Sequence, residues 1–255
     1  MGLTMLWYKA WRESRTRFWV IALAVIGFSL FVVLFHSTIQ SGLSYPLRGF
    51  REDTYSAHVY KFMYSGTGKG IFAFLVIFLG LGGLLREQTR RTAVFTLALP
   101  ATRVQLVVTQ IVVGLLELAT LSLLPALLIP ALSMMVHQYY PLGEALHFSI
   151  LWFACGSIIF ATAFLLSVIL RGEYTAAVAC YVALFLELVI SSWPSLLPHR
   201  LNLMWTMGEF GTMHWDAEHS LLLTDPLPEM RLLTIMLIAL GMFVFAVHIT
   251  KKQDF

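Results

Sequence analysis

The sequence predicts an all-α integral membrane protein, on three observations. Of its 255 residues, 58% are hydrophobic and only 12% are charged, about half the charged share of an ordinary soluble domain; the mean hydropathy is +0.78. The apolar residues fall in runs of roughly 20, the length of helix that crosses about 30 Å of hydrocarbon. The basic residues are sorted between the intervening segments: with six spans and both termini in the cytoplasm, eleven of the 17 lie inside and six outside, as the retention of Lys and Arg on the cytoplasmic side requires. A net charge of +3 is too small to suggest nucleic acid as a partner. The expected molecule is one transmembrane domain over residues 1–255, a helical bundle with no β-barrel.

Residues 1–17 carry Leu3, Leu6, Trp7, Ala10 and Trp11 at the spacing of one helical face, with Lys9, Arg12, Arg15 and Arg17 among or just beyond them. Tryptophan at headgroup depth and basic groups facing anionic lipid predict an amphipathic interfacial helix on the inner surface; a soluble lead-in is the plainer reading. The first span, 18–36, is too long for a signal-peptide core and lacks a small-residue cleavage site. A polar outer loop follows, with Pro46, Arg51, Glu52 and Asp53, then Lys61 and Lys69 near the next span, and room for a short helix. Its end, SGTGKG, approaches a phosphate-cradling loop but fails twice: Met63 stands where the first glycine is needed, and Gly70 replaces the hydroxyl residue after Lys69.

The second span, about 70–85, holds Gly80, Gly82 and Gly83, which permit close helix approach. The third apolar run, 104–136, is too long for one perpendicular span, so the span is taken as about 104–129, with Pro125 and Pro130 kinking or breaking its outer part. The fourth span, 147–170, offers Ser157 and Ala161 for packing, and a short turn leads to the fifth, 175–193. Residues 194–230 form an outer segment whose prolines, Trp205, Phe210 and Trp215 suggest short interfacial helices. The sixth span, 231–249, stops at Lys251 and Lys252. Cys155 and Cys180 lie inside spans and read as small packing residues.

Between the second and third spans lies the most charged segment, 86–103, where Arg86, Arg90, Arg91 and Arg103 face a single acid, Glu87. Pro100 cannot donate a backbone hydrogen bond and turns Leu99 away from helix, so a short inner-surface helix over about 86–97 is expected, ending before the proline. Such a segment can transmit a push from a partner; its arginines would also be selected by topology alone.

Here the chain resembles the permease subunits of type-2 ABC exporters. In that family the segment after the second span reads as an acid, a Gly-Thr or similar pair, a Leu-rich stretch, proline and a basic residue. Glu87, Thr92, Leu97, Leu99, Pro100 and Arg103 stand at those places. The chain departs from the pattern at Arg91, where glycine is common, and at Gln110, where lysine often opens the third span. The resemblance extends to the whole six-span layout. It implies a homodimer or heterodimer of permeases in the cell inner membrane, each docked on a cytoplasmic ABC ATPase subunit, two copies in all, that binds the ATP and magnesium. It assigns ATPase coupling to Glu87, Arg90, Arg91, Thr92, Pro100 and Arg103. The chain itself would bind no cofactor or metal and catalyse nothing.

Two acids fall at membrane depth. Glu117 is placed near the middle of the third span, with Gly114 and Gln110 on the same face, and Glu187 toward the outer half of the fifth. Buried acids should face the bundle interior or a wet cavity. Gln110, Glu117 and Glu187 are thus candidate translocation-path residues, or members of interhelical hydrogen bonds. His214, Asp216, Glu218 and His219 form an outer cluster without the HExxH spacing of a helical zinc site, and a polar surface loop is the expected reading. Two rival functions remain: a non-transporting membrane scaffold for a cytoplasmic complex, and an intramembrane hydrolase using Glu117, Glu187 and His147 or His248, which lacks catalytic spacing on neighbouring turns.

Overall fold

The computed structural model describes residues 2–36, 55–81, 102–170, 173–191, 202–208, 213–216, 221–224 and 226–252. The elements are α1 (Gly2–Leu34), α2 (Tyr55–Val59), a π-helical turn (Tyr60–Tyr64), α3 (Thr67–Gly80), α4 (Arg103–Met135), α5 (Leu142–Ile169), α6 (Glu173–Ser191), α7 (Leu203–Gly208), a pair of short strands β1 (Met213–Asp216) and β2 (Leu221–Thr224), and α8 (Glu229–Lys252). Among the described residues, five helical segments are long and apolar enough to cross a membrane: Leu6–Leu34, Tyr55–Gly80, Val104–Met135, Leu142–Ile169 and Glu229–Lys252. They mark an α-helical, multi-pass membrane protein. The fifth predicted span corresponds to α6, whose apolar part, Tyr174–Ile190, is shorter than these.

The expected division of the N-terminus into an interfacial helix and a span does not hold. Residues 2–34 form one helix of about 50 Å. The reason is a continuous bundle-facing stripe: Leu6, Ala10, Phe18, Ile21, Ala22, Val25, Ser29, Val32 and Val33 are buried, and half-buried Ser14 and Arg17 carry the face across the interval from Ala10 to Phe18. Trp7 and Trp11, expected on that face, are more than a third exposed. The helix packs most heavily on α4. The two run parallel, because Ser14 meets Glu117 at one end while, at the other, Tyr55 bonds Ser133 and His58 bonds Val32.

The second span begins earlier than expected, at Tyr55, well inside the predicted outer loop. Its helix is offset at Ser65–Gly66, where the π turn closes through a bond from Ser65 N to Tyr60 O of 2.8 Å. The glycines of SGTGKG serve this offset. A Cβ on Gly66 would lie 2.4 Å from Lys61 O, and one on Gly68 would lie 2.5 Å from Met63 O, so only glycine fits.

α4 opens on a capping box, with Gln105 N donating to Thr102 Oγ1 (3.3 Å) and Thr102 N to Gln105 Oε1 (3.0 Å). It then runs 33 residues without a break. Pro125 and Pro130 do not end it; within a packed membrane bundle, the backbone groups that a proline frees find other partners. The helix stops where His137 takes the left-handed conformation (φ 58°), with Gln138 N bonded to Ser133 O and His137 N to Met134 O.

α5 is the central helix, buried along most of its length and packed on α3, α4, α6, α7 and α8. Its small residues do what their spacing predicts: Ser157 and Ala161 are buried, and Ser157 Oγ sits 3.6 Å from Met236 Sδ of α8. Gly80 of α3 lies against Ala163, and Gly114 of α4 against Phe160. Both cysteines are buried free thiols, as packing residues should be. Among the described residues of 194–230, Leu203–Gly208 form the short helix α7. The described residues of this stretch also include an antiparallel ladder that pairs Met213 with Thr224 and Asp216 with Leu221.

Candidate functional site

The first halves of α1 and α4 and the C-terminal halves of α3 and α5 border a small, partly open pocket of about 40 Å³ with polar and apolar walls. Glu13, Ser14 and Arg17 of α1 line it, with Leu79 and Gly80 of α3, Gln110, Gly114 and Glu117 of α4, and Phe160 and Phe164 of α5. Periodicity explains why these meet. Ser14 continues the Ala10–Phe18 face of α1, and Gln110, Gly114 and Glu117 repeat at the helical interval on α4. Gly114 is needed because the Phe160 ring occupies the space its side chain would take.

Glu117 is 2% exposed. Ser14 Oγ donates to its Oε1, tying α1 to α4, while Oε2 has no hydrogen-bond partner among the described residues; nor does Gln110 Oε1. Arg17 reaches across to Phe78 O of α3 at 3.3 Å. Glu117 lies 14 residues from the start of α4 and 18 from its end, near the middle of the helix as its place in the sequence predicts.

Glu187 lies at the opposite end of the bundle. Its Oε1 accepts from Leu203 N at 2.9 Å, at the start of α7. At the other end of α7 Tyr60 Oη donates to Gly208 O at 2.8 Å, and Lys69 Nζ, which donates to Met204 O at 2.8 Å, lies beside Gly208. An acid at the N-terminus and a cation at the C-terminus match the polarity of the helix ends. Lys69, expected in the outer loop, is instead buried as this anchor. Glu187 also borders an open cleft of about 950 Å³, lined by Leu203, Leu227, Arg231 and Ile235; Arg231 stacks over Trp205. Nearby, Tyr64 stacks on Phe148 (4.2 Å) and neighbours Tyr140 and Trp152. Burial pushes the Tyr140 phenol well above its usual range, so it stays protonated.

The structure therefore brings Gln110 and Glu117 together and leaves Glu187 apart. Glu87, Arg90, Arg91, Thr92 and Pro100 lie outside the described residues, as does the helix expected over 86–97; Arg103 is the first residue of α4. His147, on the first turns of α5, lies at the end of that helix away from Phe160 and so apart from Glu117. In the outer cluster His214 and Asp216 belong to β1, while Glu218 and His219 lie outside the described residues. Among the described residues no group of His, Cys, Asp or Glu is placed to hold a metal ion. Sequence reasoning missed Ser14, although its position on the Ala10–Phe18 face was a usable signal. It missed the anchoring role of Lys69, which nothing local in the sequence announces.

No protein-family model matches the chain, and no curated protein is similar enough to it to count as a match.

Proposed function

We propose that this protein is the membrane-spanning permease subunit of an ABC exporter, working in a cell inner membrane as a dimer with a second permease and with two cytoplasmic ATPase subunits. The observation that carries the reading is the segment Glu87–Arg103, a basic, proline-ended stretch with the acid–Thr–Leu–Pro–Arg order, between two spans of a multi-pass helical bundle. In this reading α6 is the fifth of six spans, short enough that the bilayer thins around it. Both termini face the cytoplasm. Residues 86–103 form the coupling element, with Glu87 and the arginines making charge-assisted contacts to the ATPase. Gln110 and Glu117 contribute to the inner part of the path and Glu187 to its outer part. ATP and magnesium are bound by the partner, and hydrolysis there drives a conformational change in the bundle.

The test is purification of the tagged full-length chain from its own membranes, followed by magnesium-dependent ATP hydrolysis of what comes with it. An ATPase chain should co-purify, and its hydrolysis rate should change when the permease is stripped away. Co-purification with an unchanged rate points to a scaffold, and the absence of any ATPase chain contradicts the reading.

A further inference from the structure

The pocket beside Glu117 holds two acceptor oxygens, Glu117 Oε2 and Gln110 Oε1, that no described residue satisfies. Its volume, about 40 Å³, exceeds what one water requires. A carboxylate as enclosed as that of Glu117, with one oxygen unpaired, is unfavourable unless a donor fills the space.

Ser14 adds an independent constraint. Its hydroxyl carries one proton, yet Oγ is within range of three acceptors: Ala10 O at 3.1 Å, Trp11 O at 3.2 Å, and Glu117 Oε1. If Glu117 is ionised, the serine proton goes to the carboxylate and the bond back to α1 is given up. If Glu117 is protonated, its O–H donates to Ser14 Oγ, the serine proton returns to Ala10 O, and the carboxyl brings no charge to the pocket.

We propose that Glu117 is a proton-binding site, reached from the inner face through water bonded to Glu117 Oε2 and Gln110 Oε1, and that the proton sets the direction of the hydrogen bond tying α1 to α4. Uptake is simple addition: carboxylate and a proton from inner-surface water give the carboxylic acid, and release reverses it. The charged groups facing the carboxyl are on α1, where Glu13 and Arg17 line the pocket and Lys9 pairs with Glu13 at 3.7 Å. The described residues of α3 and α5 that line it do not titrate, and Glu117 is the titratable one on α4. The proposal does not rest on the transport reading, because a scaffold could carry the same site.

Infrared difference spectroscopy of the full-length chain in lipid nanodiscs, titrated between about pH 5 and 9, reads the proton directly. Wild type should show the C=O band of a protonated carboxyl that grows as pH falls, shifts in D2O because the pocket is wet, and is missing from Glu117→Gln. Ser14→Ala keeps the carboxyl and should move the same band in frequency, so the assignment does not depend on how Glu117→Gln folds. A band that neither titrates nor exchanges, one unmoved by Ser14→Ala, or no carboxyl band at all overturns the proposal.

Discussion

At Gly114 a single hydrogen atom decides how closely α4 can approach α5. A Cβ built there would sit 2.3 Å from Phe160 Cζ, and the ring has little room to withdraw because Phe164 and Phe243 lie 6.2 Å and 5.8 Å from it, centroid to centroid. Gly114→Ala should therefore lower stability by about 1–3 kcal/mol despite the better helix propensity of alanine. Gly241→Ala, which meets nothing within 4 Å, should be neutral or slightly stabilising. Thermal unfolding of both variants in detergent checks this, and equal behaviour would show that α4 and α5 are not in close contact. The pairing of Gln110 with Glu117 was legible from their spacing alone. The Ser14 tie was not, because it comes from α1 and appears only once α1 is known to continue through residue 14.

Among the elements, the second span shows what local sequence can and cannot disclose. Gly66, Gly68 and Gly70 look like punctuation before a helix, and the polar character of the preceding residues suggested a loop. In the fold, Tyr55, Met63 and Tyr64 are buried against neighbouring helices, so tertiary packing draws the segment into the bundle and overrides its local polarity. The glycines then mark a helical offset. Gly66→Ala should cost about 1–3 kcal/mol, since the clash is with the backbone carbonyl of Lys61 and no rotamer change relieves it. Alanine at Gly70, where nothing lies within 4 Å, should be tolerated. Comparing the temperatures at which the two variants lose their solubilised size measures the difference; equal temperatures would argue for an ordinary loop. Prolines 125 and 130 teach the same lesson in reverse: they are strong local breakers, and the packed helix continues through both. The end of α5 and both ends of α8 were legible to within about three residues because apolar runs, with lysines closing the second, define them without tertiary help, whereas α5 begins at Leu142, ahead of the predicted start at 147.

For the whole molecule, topology and coupling remain the decisive properties. With six spans, single cysteines at Ser44 and Thr212 should be labelled by a membrane-impermeant thiol reagent in intact cells, and those at Thr96 and Gln253 should not; labelling at Thr96 would remove the coupling element from the cytoplasm. The central claim is that the charges of residues 86–103 join this bundle to an ATPase, and charge reversal tests it most directly. The Glu87→Lys, Arg91→Glu double variant keeps the segment's net charge, so insertion and dimerisation should be unchanged, shown by an unaltered size after solubilisation. ATPase association, or hydrolysis stimulated by the permease, should fall about 100-fold or more if two charge-assisted contacts of about 1.5–3 kcal/mol each are lost. A double variant of normal size that binds the ATPase and supports hydrolysis as wild type does would contradict the account.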